Sequence, residues 1–163
     1  MVDLTPEQVI EAARGTTDGL EYCVLITQGE SGWASARVMQ HYGPEADLTI
    51  WFGTSPKTRK AREVTKDNRV AVAFQNDKEE AGATFLGTAH LIDDLDLRRK
   101  YWRQGWEAFW PEGPEGDDYV LIRFTPSRIE VFNARRGVAP QPIGLKAGAV
   151  VREGERWEVV EYE

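Results

Sequence analysis

The chain has 163 residues, of which 41% are hydrophobic, and it carries a formal net charge of -7 at pH 7. A chain of this length and composition can bury a substantial hydrophobic core, so we expect a single domain over residues 1–163. The acidic balance argues against general binding to nucleic acid or to an anionic membrane, because both need a basic protein surface.

The N-terminal segment predicts a short helix. Thr5 and Gln8 have the spacing of a capping box around Pro6, and apolar residues then recur at helical spacing until Gly15. The same segment is acidic and lacks the apolar core of a secretory signal, and no later stretch is apolar enough to cross a bilayer. We therefore expect a cytoplasmic protein.

Three β-rich segments come next, and they predict sequential antiparallel strands. Their sequences are YCVLITQ, WASARVMQHY and DLTIWFGT, and clusters of turn-forming residues separate them. Cys23, the chain's single cysteine, lies in the first segment. We expect it to be a buried structural residue rather than a reactive thiol or a metal ligand.

The segment TSPKTRKAREVTK predicts a helix with Ser55 as its N-cap and Pro56 at its first position. Lys57, Arg59 and Lys60 would then lie at the positive end of the helix macrodipole. Each cation costs about 0.3–1 kcal/mol there unless an anion is bound nearby.

Two interpretations of these cations are open. If DLTIWFGT lies beside WASARVMQHY, Arg37 and Thr54 would be near the helix start, and the cations and hydroxyls could converge on one phosphate. The cations could instead form a solvated face of a helix whose apolar side is Ala61 and Val64. Local spacing alone favours the solvated face.

The remaining segments complete a mainly β fold. KDNRVAVAFQN and ATFLGTAHLID predict two strands, YVLIRFTPSRIEVFN predicts one or two with a break near Pro126, and the chain closes with a predicted hairpin about Glu153 and Gly154. Short turns join most consecutive strands, which disfavours a parallel sheet. The predicted fold is mainly β (α+β), a small antiparallel barrel of about six strands with a few short helices.

An aromatic helix is predicted between these strands. The segment LDLRRKYWRQGWEAFW would start after Asp94 as N-cap and end at Pro111. Its rings could cover a flat cofactor, or they could fill the core or a dimer interface, and the second role is favoured.

Residues that could bind a metal or act as catalysts show no recognisable pattern. His41 and His90 are far apart in the sequence, so we expect them to be structural or surface residues. The aspartates near position 94 resemble helix-start acids rather than a calcium loop. No Ser-His-Asp arrangement is found. We therefore predict no metal and name no catalytic residue, and any chemistry would come from a bound cofactor.

Several of these segments together resemble a known family. The order ARVMQ, WFGTSPKTRKAREV, TKDNRVAVAF and ATFLGTAHLI is similar to that of the FMN-binding split barrel of pyridoxamine 5'-phosphate oxidase and its relatives. The stretch WRQGWEAFWPEGPEGDDYVLIRFTPSRIEVFN most resembles the general stress protein 26 branch, whose members are small FMN-binding proteins. The resemblance implies a split β-barrel and a homodimer with the flavin in the groove between subunits.

The resemblance also implies which residues would hold the cofactor. Arg37, Thr54, Arg59 and Lys60 match family positions that contact the FMN phosphate and neighbouring ring atoms, and Thr58 replaces a family serine. Val38 and Met39 would lie along the isoalloxazine ring. Trp106 and Trp110 could reach the cofactor of the partner subunit. Ser55 and Lys57, at the predicted helix start, complete the set.

Some positions depart from the family pattern. The family oxidase has a substrate-binding lysine where this chain has Tyr42, its flavin-contacting glutamine falls near Gly82, and its late tryptophan falls on Phe132. Its C-terminal Arg/His segment has no clear counterpart in ARRGVAPQPIGLKAG, where Arg135 or Arg136 could substitute. These differences argue against true pyridoxamine 5'-phosphate oxidation.

The combined interpretation is a homodimeric FMN-binding oxidoreductase that passes electrons between reduced flavin and an unidentified small molecule. Two alternatives are open. One is a flavin-binding or storage protein of the stress response without turnover. The other is a reductase on the same fold that uses the deazaflavin F420.

Overall fold

The fold comes from a computed structural model, which describes residues 4–139 and 148–161. The α-helices of these residues are α1 (Pro6–Thr17), α2 (Arg59–Lys66) and α3 (Leu95–Lys100). The strands are β1 (Tyr22–Gln28), β2 (Ala34–Gln40), β3 (Ile50–Thr54), β4 (Arg69–Asn76), β5 (Ala81–Ile92), β6 (Val120–Phe132), β7 (Gly148–Glu153) and β8 (Arg156–Val160). None of the described helices is long and apolar enough to span a membrane.

Antiparallel pairing joins all eight described strands in one sheet. The strands follow the order β2-β1-β4-β5-β6-β7-β8, and β3 pairs with the first half of β6. A backbone bridge between Tyr42 and Trp51 links the end of β2 back to β3. The first six strands therefore close into a ring, which confirms the predicted mainly β fold. The hairpin of β7 and β8 continues the sheet from the second half of β6.

The long strand β6 belongs both to the ring and to the extension formed by β7 and β8. Of the one or two strands predicted here, the structure has one, and it continues through Pro126. The proline has no N–H to donate, and the ladder with β5 shifts register beside it: Leu86 pairs with Arg128 and Gly87 with Pro126, which leaves Ser127 as the extra residue of a bulge in β6. Gly87 is needed there because a Cβ atom would collide with the backbone oxygen of Thr125.

The expected pairing of DLTIWFGT beside WASARVMQHY is limited to one bridge, between Tyr42 and Trp51. Apart from the Tyr42–Trp51 bridge, β3 pairs with β6, from Ile50 opposite Phe124 to Thr54 opposite Val120. All five residues of β3 are buried. The strand separates two apolar clusters, because Ile50 and Phe52 belong to the main core while Trp51 belongs to an aromatic cluster.

The N-terminal helix closes one side of the main core. Its Thr5–Gln8 capping box is present as predicted, and Val9, Ala12 and Ala13 are buried against the strands. The helix does not stop at Gly15 but continues to Thr17. The hydroxyl groups of Thr16 and Thr17 donate to the carbonyl oxygens of Ala12 and Arg14 and support this last turn.

The aromatic segment is not one continuous helix, which corrects the prediction. The helix α3 begins after Asp94, whose side chain caps it as predicted, but it ends at Lys100. Gly105 then adopts a left-handed conformation with φ of 94°, and a single 3-10 turn covers Trp106–Ala108. Packing overrides the helical spacing here, because the tryptophans fold around Tyr119 with ring centroids 5.0–6.0 Å from it.

Candidate functional site

The helix that carries the predicted anion site begins later than its sequence indicates. Thr58, not Ser55, is the N-cap of α2, and its hydroxyl accepts a hydrogen bond from the Ala61 N–H. Ser55 instead donates its hydroxyl hydrogen to Asp118, at 2.6 Å. The loop before α2 folds back on itself through a hydrogen bond from the Thr58 hydroxyl to the Ser55 carbonyl, at 2.9 Å. The predicted helix end at Lys66 is confirmed.

The later start divides the predicted cations into two groups. Lys57 lies before the helix, is largely exposed, and forms an ion pair with Asp118 at 3.5 Å. Arg59 and Lys60 occupy the first turn of α2. The side chains of Ser55 and Lys57 therefore both contact Asp118.

Arg37 lies close to the first turn of α2, as the phosphate hypothesis requires. Its guanidinium forms an ion pair with Glu63 at 2.8 Å and donates to the Thr27 hydroxyl at 2.7 Å. Arg59 approaches the other carboxylate oxygen of Glu63 at 3.5 Å. A single buried carboxylate thus connects the strand cation with the helix cation.

Lys60 completes this cluster of cations. Its side chain is half-buried, and burial followed by repulsion from Arg37 and Arg59 lowers its pKa. Lys60 makes no ion pair with any carboxylate in the part of the chain that the structure describes. We define the cation cluster as Arg37, Arg59 and Lys60.

Two hydroxyl groups lie at the same end of the helix. The side-chain oxygens of Thr54, at the end of β3, and Thr58 are 3.2 Å apart. Thr54 is buried and Thr58 is partly exposed. The predicted residues of the phosphate site therefore come from three elements, β2, β3 and the start of α2, which meet at one place.

Val38 and Met39 occupy opposite faces of β2. Val38 is 67% exposed, whereas Met39 is partly buried against the main core. Among the described strands, β2 has a ladder partner only on its β1 side. Its other edge can offer backbone N–H and carbonyl groups to the polar rim of a flat ring.

Trp106 and Trp110 belong to an aromatic cluster within the chain. Trp106 is 8% exposed, packs against Tyr119, and donates from its indole nitrogen to the side-chain oxygen of Gln40 at 3.0 Å. Trp110 is partly buried at its side, with ring centroids 5.5 Å apart. Trp106 thus packs in a core cluster, which is the favoured alternative for these rings, and its indole nitrogen contacts the end of β2.

Glu63 is the residue of the site that sequence reasoning missed. It is a charged residue on the same side of α2 as the buried residues Ala61 and Val64. Its side chain is 1% exposed. A signal was present, since Glu63 lies four residues after Arg59, the spacing at which opposite charges pair on a helix.

The other candidate residues have structural partners. Cys23 is buried, and burial raises the pKa of its thiol to about 12, which agrees with the predicted structural role. Arg136 pairs with Glu79 at 2.8 Å and Arg135 with Glu80 at 3.3 Å, so both already serve other carboxylates. Residues 140–147 of the segment that follows lie outside the described residues.

Within the described residues, no group of three acids, histidines or cysteines has the arrangement of a metal site.

Comparison with protein families gives one match that covers most of the chain. The family described as "Pyridoxamine 5'-phosphate oxidase like" matches residues 8–154. General stress protein 26 of Bacillus subtilis is 29% identical over 90 residues, which make up 53% of this chain and 64% of that protein. The alignment therefore spans less than two thirds of the relative's own length.

Solved structures share the fold. A protein related to general stress protein 26 from Clostridium acetobutylicum is 22% identical, with a TM-score of 0.68 over 80% of this chain and 91% of that one. An FMN-binding protein related to pyridoxamine 5'-phosphate oxidase, from Nostoc punctiforme, is 14% identical, with a TM-score of 0.67 over 100% of both chains. An F420 reductase is 16% identical, with a TM-score of 0.55 over 71% of this chain and 94% of that one. These likenesses confirm the split-barrel fold.

Proposed function

Because the chain belongs to the pyridoxamine 5'-phosphate oxidase-like family, we propose that it is a homodimeric FMN-binding oxidoreductase of the general stress protein 26 type. The observation that carries this proposal is the cation cluster. Arg37 and Arg59 both pair with Glu63, and Lys60 lies near enough to these two arginines for their charges to lower its pKa, in a protein whose net charge is -7. A bound anion would offset this local excess of positive charge.

The charge of the cluster fits a phosphate monoester. Three cations against the one carboxylate of Glu63 leave two positive charges. A phosphate monoester carries about -1.5 to -2 at pH 7. The Thr54 and Thr58 hydroxyls, 3.2 Å apart, lie at the same end of the helix, and Thr58 would donate to a phosphate in place of the Ser55 carbonyl. The residues present therefore suit the phosphate of FMN.

The residues that would hold the cofactor follow from this placement. Arg37, Arg59 and Lys60 would bind the phosphate oxygens, with Thr54 and Thr58 completing the hydrogen bonds. The open edge of β2 at Val38 and Met39 would support the isoalloxazine ring. Bound FMN would supply the electron transfer, while the protein supplies binding and orientation.

A second copy of the chain is the proposed partner. The outer face of the sheet carries apolar side chains that the described residues do not cover, and Val38 is 67% exposed on it. Across neighbouring strands, Val38 lies opposite Val24, and Ile26 lies between Ala36 and Ala71. Contiguous apolar surface beside a ligand site is typical of an interface. A dimer through this face would place a second subunit next to the open edge of β2.

Two alternatives share the same site. A deazaflavin cofactor is supported by the likeness to an F420 reductase, whose cofactor also carries a phosphate-bearing tail.

A storage or sensing role is compatible with a cluster that binds phosphate without a catalytic acid or base. Parallel titrations with FMN and F420 separate the cofactors. Steady-state consumption of a nicotinamide cofactor or another reductant by the loaded protein separates turnover from storage, and binding without any such consumption would refute the oxidoreductase proposal.

A further inference from the structure

The buried carboxylate of Glu63 is the best-connected polar group near the cation cluster. One of its oxygens accepts hydrogen bonds from the Thr27 hydroxyl at 2.6 Å and from Arg37 at 2.8 Å. The other accepts from the Ser35 hydroxyl at 3.0 Å. Both oxygens are therefore occupied by partners on β1 and β2.

This network keeps Glu63 ionised inside the protein. Burial acts to raise the pKa of its carboxyl, but hydrogen bonds from Thr27, Ser35 and Arg37 and the charge of Arg37 lower it below its ordinary value. A buried carboxylate with three donors and a paired cation avoids most of the cost of desolvation. An ionised Glu63 can hold a guanidinium in a fixed orientation.

Arg37 is held on one side only. It donates to the Leu25 carbonyl at 3.3 Å, to Thr27 at 2.7 Å and to Glu63 at 2.8 Å. These bonds use three of the five N–H groups of a guanidinium. The group on Nε and one on Nη2 make no hydrogen bond with the residues that the structure describes. A ligand phosphate can use these two donors without breaking the others.

We propose that Glu63 is a positioning residue, which fixes the guanidinium of Arg37 so that its two remaining donors meet the cofactor phosphate. The inference rests on the proposed FMN site. It makes a prediction opposite to simple electrostatics. A carboxylate close to a bound dianion repels it, so charge alone predicts tighter FMN binding when Glu63 is neutralised. A positioning role predicts weaker binding when its acceptor oxygens are removed.

Two variants with the same change of charge distinguish a positioning role of Glu63 from the effect of its charge. Glu63→Met removes the acceptors and keeps a similar length, whereas Glu63→Gln keeps one acceptor oxygen for Arg37 and Thr27. FMN and riboflavin, which lacks the phosphate, are titrated against the wild type and both variants. The ratio of the two dissociation constants isolates the phosphate contribution from general damage to the fold.

We expect Glu63→Met to lower the preference for FMN over riboflavin by about tenfold, the scale of one charge-assisted hydrogen bond. Glu63→Gln should retain the preference to within about threefold, with riboflavin affinity unchanged in both. Equal preferences in the two variants, or tighter FMN binding by Glu63→Met, would overturn the inference.

A further variant covers the case in which Glu63→Met does not fold. Thr27→Val keeps the shape of a buried residue and changes no charge, but removes the hydroxyl that joins Arg37 to Glu63. It should lower the FMN preference, and an unchanged preference would contradict the positioning role. If the wild type itself does not prefer FMN to riboflavin, the proposed phosphate site fails, and the inference fails with it.

Discussion

Trp106 lies so close to the backbone of Gly53 that a Cβ atom at position 53 would be 2.5 Å from its indole ring. The same indole donates a hydrogen bond to Gln40 at the end of β2. Trp106 therefore contacts both β3 and β2, one residue before Thr54 and three residues after Arg37. The aromatic cluster holds together the two strands that carry the proposed phosphate site.

This contact predicts that Gly53→Ala destabilises the protein. The added methyl group would have to displace Trp106 or Tyr119, and overpacking of this kind costs about 1–3 kcal/mol. The free energy of unfolding in urea measures the effect. Gly82→Ala is the matched control, because a Cβ atom there meets only the Phe74 carbonyl at an ordinary 3.5 Å. The control should be neutral or more stable, and equal losses in both variants would contradict the packing argument.

Reversal of charge at Lys60 tests the proposed cofactor site. Lys60→Glu should weaken FMN binding at least about tenfold, or about 1.4 kcal/mol, because it puts an anion beside the phosphate. Fluorescence titration of FMN measures the change. Lys66→Glu makes the same change of charge on the last turn of α2, away from the cation cluster, and should bind FMN as the wild type does. Unchanged affinity in Lys60→Glu would remove Lys60 from the site.

The network around Glu63 predicts a pH-dependent contribution to stability. Because its hydrogen bonds lower the folded-state pKa below the ordinary 4.5, its stabilising contribution is present above about pH 4.5 and is lost as the pH falls through the folded-state value. Glu63→Gln should cost about 1–3 kcal/mol at pH 7, and the cost should shrink at pH values below 4.5.

Urea unfolding of both proteins at pH 7 and pH 4 measures this difference. Glu155→Gln, in the exposed turn between β7 and β8, should match the wild type at both pH values. A cost for Glu63→Gln that grows at low pH would mean that Glu63 is protonated in the folded protein.

The exposed apolar face of the sheet predicts that one substitution can break the dimer. Ile26→Glu places a charge between Ala36 and Ala71, in the middle of the proposed interface, and should convert dimer to monomer in sedimentation experiments. Leu95→Glu is the control, because Leu95 is 40% exposed at the first turn of α3, where an acid is favourable. If Ile26→Glu remains a dimer, the interface lies elsewhere.

Local signals in the sequence were sufficient to predict the elements whose bounds depend on neighbouring residues. The alternation in YCVLITQ gives the bounds of β1 at Tyr22 and Gln28, and the pattern of Thr5 and Gln8 gives the cap of α1. The hairpin predicted about Glu153 and Gly154 also forms, with Gly154 and Glu155 in its turn.

Features that depend on distant contacts could not be predicted in this way. β3 pairs with β6, some seventy residues later in the chain, and the aromatic segment bends around Tyr119. The role of Glu63, on α2, depends on Thr27 of β1 and Arg37 of β2. The resemblance to a family suggested the cations of the proposed site, but the carboxylate that pairs with Arg37 and Arg59 became visible only in the fold.

The most direct test of the account is the visible absorption spectrum of the freshly purified protein, followed by mass analysis of any small molecule that heating releases. The account predicts a flavin spectrum and the mass of FMN, with about one FMN bound per subunit at the cation cluster. The mass of F420 would retain the site but change the cofactor. A colourless protein that binds neither added FMN nor added F420 would mean that Arg37, Arg59 and Lys60 form a solvated basic surface, and it would contradict the proposed function.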